Sequence, residues 1–122
     1  MFASSPQEAL KMYEEATNTH EFENVRRLIR EDAIYYFSNA TVQGHKPLKE
    51  FFEKTWDYIR DEVYKIHDVQ WLTIGESNAA CVYKFQWSGL IDGVYKEGKG
   101  RGTNVFEKDD EGWKVVHEHL SS

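Results

Sequence analysis

A chain of 122 residues has the size of one domain and can bury one core without disulfide or metal staples. Fifteen basic residues against twenty-one acidic ones leave a net charge of −6, a field that opposes nucleic acid and anionic membrane over most of the surface. No run approaches the roughly 20 apolar residues of a membrane span, the N-terminus lacks a basic region followed by an apolar stretch, and Cys81 is the only cysteine; the expectation is one domain over residues 1–122 in a reducing, cytoplasmic setting.

Ser5-Pro6-Gln7-Glu8 has the form of a capping box with proline at the first helical position, so a helix is predicted to begin there. Ala9, Met12, Tyr13 and Ala16 follow the three-four spacing of one buried stripe, which Thr17-Asn18-Thr19 ends. Phe22, Val25, Leu28 and Ile29 mark one side of a second helix. Ala33–Ser38, rich in aromatic and branched residues and too short for a stable helix, reads as the first strand, and Asn39–His45 as a loop. Pro47 suits the start of a third helix, whose Leu48, Phe51, Phe52, Thr55, Trp56 and Ile59 recur at helical spacing to about Arg60.

From Val63 onward the apolar period becomes two, and four strands follow: Val63–Ile74, Ala79–Ile91, about Val94–Lys108, and Trp113–Leu120. Asp92-Gly93 between the middle two is the strongest hairpin signal in the chain, because a tight two-residue turn needs positive φ. Asp109-Asp110-Glu111-Gly112 makes the last turn. The order helix, helix, strand, helix, then four strands gives an α+β fold with three helices on a strongly curved antiparallel sheet. Gly98, Gly100 and Gly102 would permit bulges or sharp bending of the third long strand, closing a cup. Aromatic residues are 15 % of the chain, more than a simple core requires, so some should line a cavity or an interface.

Several residues have types suited to chemistry. His117 and His119 share one strand face about 6.6 Å apart, a spacing two metal ligands can use, but no third ligand follows from the pattern and no metal is expected. Glu118 faces the other way; inside the cup, burial would raise its pKa and make it a general base. Tyr13, Tyr35 and Tyr36 could donate to a ligand carbonyl. Lys84 interrupts Val82, Tyr83 and Phe85 in a central strand, where an ammonium needs a carboxylate, water or a bound anion. Alternation puts Tyr83, Phe85 and Trp87 on one face and Val82, Lys84 and Gln86 on the other, and apolar content favours burying the aromatic face under the helices. No Ser-His-Asp order, phosphate-binding glycine loop or Cys-x-x-Cys pair occurs, and no cofactor is expected.

The helices together with the C-terminal Trp113 and His117-Glu118-His119-Leu120-Ser121 resemble the NTF2-like or SnoaL-like proteins, small cones with one pocket, and within them both small bacterial SnoaL-like proteins and the association domain of calcium/calmodulin-dependent kinases. Phe52-Glu53-Lys54-Thr55-Trp56 is similar to the helix end that sets a tryptophan by the pocket mouth of that association domain, and its pocket arginines align with Lys84, Asn104 and Leu120. The resemblance therefore implies a pocket with Trp56, Lys84 and Asn104, and it puts Lys84 inside, with the row Tyr83, Phe85, Trp87 covered by a second subunit. The first helices also look like those of ketosteroid isomerase, whose oxyanion-donating tyrosine matches Tyr13; its general-base aspartate matches Phe37, so that mechanism does not carry over.

The leading expectation is a homodimer, paired through the sheet face, that binds a small, partly apolar molecule with an anionic or carbonyl group. Its ligand-binding residues would be Tyr13, Trp56, Lys84, Asn104 and Glu118, and neither nucleic acid nor membrane would be a partner. The alternatives are a SnoaL-like isomerase, cyclase or hydrolase, with Glu118, His119 or Tyr13 as catalytic candidates, and an assembly module without a ligand.

Overall fold

The computed structural model describes residues 2–122. Helix α1 spans Pro6–Thr17: the Ser5 hydroxyl accepts from the Glu8 amide at 3.0 Å, and the Glu8 carboxylate reaches back to the Ser4 amide at 2.8 Å. The expected cap is thus present, with its return bond one residue further out. The second helix, α2, is shorter than its periodicity suggested, Phe22–Arg26, because Leu28 and Ile29 leave the helical path and Ile29 opens strand β1, Ile29–Phe37. The segment expected to be a loop contains a further short strand, β2, Ala40–Gln43, which folds back antiparallel on β1 with Phe37 opposite Ala40. Only Val42 of its four residues is buried, too little apolar pattern to announce a strand. Helix α3 then runs His45–Tyr58, its first turn starting two residues before Pro47.

Four long strands complete the chain: β3 Arg60–Ile74, β4 Asn78–Ile91, β5 Val94–Asp109 and β6 Gly112–Ser121. They pair antiparallel in succession, as expected, and Asp92 and Gly93 turn the central hairpin with φ of 52° and 77°. The sheet order is β2-β1-β6-β5-β4-β3, so β1 lies parallel beside β6. Helices α1 and α3 pack on one face of this curved sheet, and the core fills the space between: Leu10 and Tyr13 from α1, Phe22 and Val25 from α2, and Tyr35, Cys81, Phe106 and Val115 from the strands are all buried. No helix among the described residues is long and apolar enough to cross a membrane.

The parity of β4 follows its apolar content. Tyr83 and Phe85 are buried beneath the helices, while Lys84 and Gln86 face outward. The aromatic row that offered a reason for pairing two subunits through the sheet is therefore covered within one chain. Nor do the three glycines of β5 bulge: β4 and β5 pair in unbroken register, with Tyr83 opposite Gly102, Phe85 opposite Gly100 and Trp87 opposite Gly98. Each aromatic ring lies across its opposing glycine, where a Cβ would intrude. At Gly98 that atom would sit 2.5 Å from the Trp87 Nε1, and at Gly100 2.6 Å from the Phe85 Cζ, with the Ser121 carbonyl closer still. Register shifts occur instead in β3, near Asp61 and Asp68, both at positive φ, and where β6 pairs with β5 and with β1.

Replacing Gly100 with alanine should destabilise the fold by about 1 to 3 kcal/mol, since neither the Phe85 ring nor the Ser121 backbone can yield without losing packing. An unchanged urea midpoint in the G100A variant would show that the rings do not need this clearance.

Candidate functional site

A cavity of about 310 Å³ opens between α1, α3 and the concave face of the sheet. Its wall is rich in aromatic rings, and the rings brace one another: Phe37 stacks on Phe51 with centroids 4.1 Å apart, Phe52 meets Trp56 edge-on at 5.5 Å, and Tyr64 tilts against Phe85 at 5.8 Å. His20, at positive φ of 58°, stacks on Trp56 at 5.4 Å and donates from Nε2 to the Glu62 carbonyl at 2.8 Å, tying the end of the first helical hairpin to the cavity rim.

One irregularity decides which groups the cavity sees. Across β5 and β6, Phe106 pairs with Val115 and Val105 with His117, leaving Val116 as an extra residue in β6. Trp113 and Val115 point inward before this bulge; beyond it Glu118 and Leu120 take the inward side. Strict alternation would have kept Trp113, Val115, His117 and His119 on one face. Instead His117 sits half-buried outside, donating from Nδ1 to the Ile34 carbonyl at 2.6 Å, and His119 is exposed beside Tyr36. Neither histidine reaches the cavity, and among the described residues no three His, Cys, Asp or Glu side chains cluster so as to hold a metal ion.

Glu118 is 3 % exposed, and its Oε1 has no hydrogen-bond partner. Around it lie the phenols of Tyr13, Tyr35, Tyr64 and Tyr83, one from α1 and the others from β1, β3 and β4. Tyr13 and Tyr35 share a hydrogen bond of 2.8 Å, and Tyr83 donates to the Asn104 Oδ1 at 2.7 Å. Asn104 stands directly opposite Glu118 across the ladder, fully buried, with its Nδ2 also unpartnered. Burial drives the Glu118 carboxyl up to a pKa of about 7, partly offset by the polar groups of Tyr13, Asn104 and Tyr83 that face it. Burial first, and the Glu118 charge second, push all four phenols well above their ordinary value, so they remain protonated. A second cavity carboxyl, Glu62, is likewise raised to about 7 by burial.

Of the residues expected from the sequence, Tyr13, Trp56 and Glu118 line the cavity together, and Asn104 stands behind Glu118. Lys84 does not join them. The alternation that buries Tyr83 and Phe85 turns it outward, 61 % exposed, with Nζ 3.7 Å from Asp68 on the far face of the sheet. The expectation of an anionic group held at Lys84 inside the cup is thereby overturned. Glu62, Tyr64 and Trp87 escaped the sequence reading. The first two were within reach, since Glu62, Tyr64 and Ile66 keep one period of two, but placing the strand start at Val63 cut off its first inward residue.

The sequence model of the SnoaL-like domain family matches residues 7–122. The chain belongs to this family. No curated protein matches its sequence. Among solved structures, an NTF2-like superfamily protein from Salmonella enterica serovar Typhimurium superposes with a TM-score of 0.86 at 16% identity, over 94% of this chain and 86% of that one. The CaMKII association domain of C. elegans gives 0.75 at 17% identity, over 93% and 89%. A candidate scytalone dehydratase from Novosphingobium aromaticivorans gives 0.82 at 16%, over 95% and 80%. At these identities the likeness is one of fold, the NTF2-like cone.

The raised pKa of Glu118 has a consequence for stability. The folded protein keeps a proton there that the unfolded chain, with an ordinary value of 4.5, has released; the contribution is therefore complete below about pH 4.5 and lost as pH rises through about 7. The loss is on the order of 3 kcal/mol. Glu118→Gln cannot ionise, so in urea denaturation it should be more stable than wild type by on the order of 2 to 3 kcal/mol at pH 8 and nearly matched at pH 4.5. An equal difference at both pH values would show that Glu118 ionises as freely in the fold as in the unfolded chain.

Proposed function

We propose that this SnoaL-like domain binds one small, largely apolar molecule in its cavity, with Glu118 meeting the ligand's polar group. One observation carries the reading: Glu118, a buried carboxyl with an unpartnered oxygen, lines a cavity of about 310 Å³ rich in aromatic rings. Buried polar atoms are ordinarily paired, and leaving one unpaired costs about 1 to 3 kcal/mol, a cost that a ligand's donor removes. The apolar wall contributes affinity by desolvation, while the few polar groups set orientation. Tyr13 and Trp56 then serve as ligand contacts, with Asn104 opposite Glu118 across the ladder.

A second reading, acid–base catalysis, is favoured by the same carboxyl. A group with a pKa of about 7 can both give and accept a proton at neutral pH, and an oxygen free of partners can approach a reacting atom. Tyr13, whose hydroxyl stays protonated, would donate to an oxygen on which charge develops. Either role requires that a small molecule enter the cavity.

Leu120→Trp adds bulk to the cavity lining and leaves the Glu118 carboxyl in the chain. Calorimetric titration with 2-phenylethanol should give saturable binding by the wild type and at least a tenfold weaker affinity in the variant, with the melting temperature retained. Equal affinities would place the bound probe elsewhere on the molecule.

A further inference from the structure

We propose that the ligand of this cavity is a cation: a protonated or quaternary amine on an apolar body, its charged nitrogen held between the carboxylate of Glu118 and the surrounding aromatic rings. The inference rests on the small-molecule reading of the cavity and names the class of molecule. Among the described residues, the lining contains two carboxyl side chains, Glu62 and Glu118, and no lysine, arginine or histidine. A pocket for an anion would show the reverse. The remaining polar groups facing Glu118 are the phenols of Tyr13, Tyr35, Tyr64 and Tyr83 and the amide of Asn104, none of them positive.

The wall suits a cation as well as its carboxyls do. Aromatic faces carry negative potential, and an ammonium within about 6 Å of a ring centroid is attracted to it, most strongly where water is excluded. Trp56, Trp87, Phe51, Phe85 and Tyr64 all line the space that Glu118 enters. An ammonium donating to the Glu118 carboxylate would supply a partner that the buried group lacks and would neutralise a charge that burial otherwise penalises. Glu62, nearer the His20–Trp56 stack, supplies a second negative group along the cavity. The net charge of −6 adds a field that draws cations toward the molecule.

The test compares three probes with the same phenyl body on the wild-type protein by calorimetry: 2-phenylethylammonium, 2-phenylethanol and 3-phenylpropanoate. The ammonium should bind at least tenfold more tightly than the alcohol, and the carboxylate most weakly. The ammonium's affinity should also rise between pH 5 and pH 8 as the carboxyls ionise, since an alkylammonium keeps its proton across that range. In Glu118→Gln the preference for ammonium over alcohol should fall by tenfold or more, and Glu62→Gln provides a second, independent variant if the first is altered in stability. Alcohol binding as tight as or tighter than that of the ammonium, an ammonium affinity that falls toward pH 8, or a preference unchanged in both variants would overturn the cation while leaving the small-molecule cavity intact. Failure of all three probes to bind at millimolar concentration would overturn both.

Discussion

One extra residue in the last strand governs the chemistry of this molecule. With Val116 looped out of the ladder, the side chains after it exchange faces, and Glu118 enters the aromatic interior while His117 and His119 move outside. A carboxyl in such a place is costly as an anion. The fold meets that cost in part by surrounding Glu118 with protonated phenols and the Asn104 amide, yet leaves its buried Oε1 without a hydrogen bond. The resulting site is poised rather than satisfied, and its unpaired oxygen is where a ligand gains most.

The surrounding architecture keeps that carboxyl buried at the wall of the cavity. Gly98, Gly100 and Gly102 let the Trp87, Phe85 and Tyr83 rings lie across β5, so the cup floor is both aromatic and closely packed. Helix α3 supplies the opposite wall through Phe51, Phe52 and Trp56, and α1 contributes Tyr13, whose hydroxyl links to Tyr35 on β1. Helices, sheet and carboxyl thus depend on the same contacts, which couples stability to the ionisation of the site.

Much of the fold was legible in the chain. The Ser5 cap, the Asp92-Gly93 turn and the change of period at the third helix reflect local physics and lie where the sequence puts them. Strand β2 did not announce itself, having one buried side chain, and Ile29 kept helical spacing while joining a strand because its partner, Val115, is 86 residues away in sequence by the difference of their numbers. The candidate site was half legible. Tyr13, Trp56 and Glu118 line one cavity, whereas Lys84 followed the apolar content of its own strand and not the alignment with a distant pocket. A bulge has no signature in an alternating sequence, so the displacement of the two histidines could not have been read from Trp113–Ser121 alone.

The site depends most on Glu118 being a buried carboxyl that holds its proton near neutrality. Carbon-13 NMR of glutamate side-chain carboxyls, titrated from pH 3 to pH 9 with Glu118→Gln for assignment, measures this directly. The resonance lost in the variant should titrate at about 7. A midpoint for that resonance close to 4.5, the ordinary value, would mean that water reaches the carboxyl freely and that it is not buried at the cavity wall.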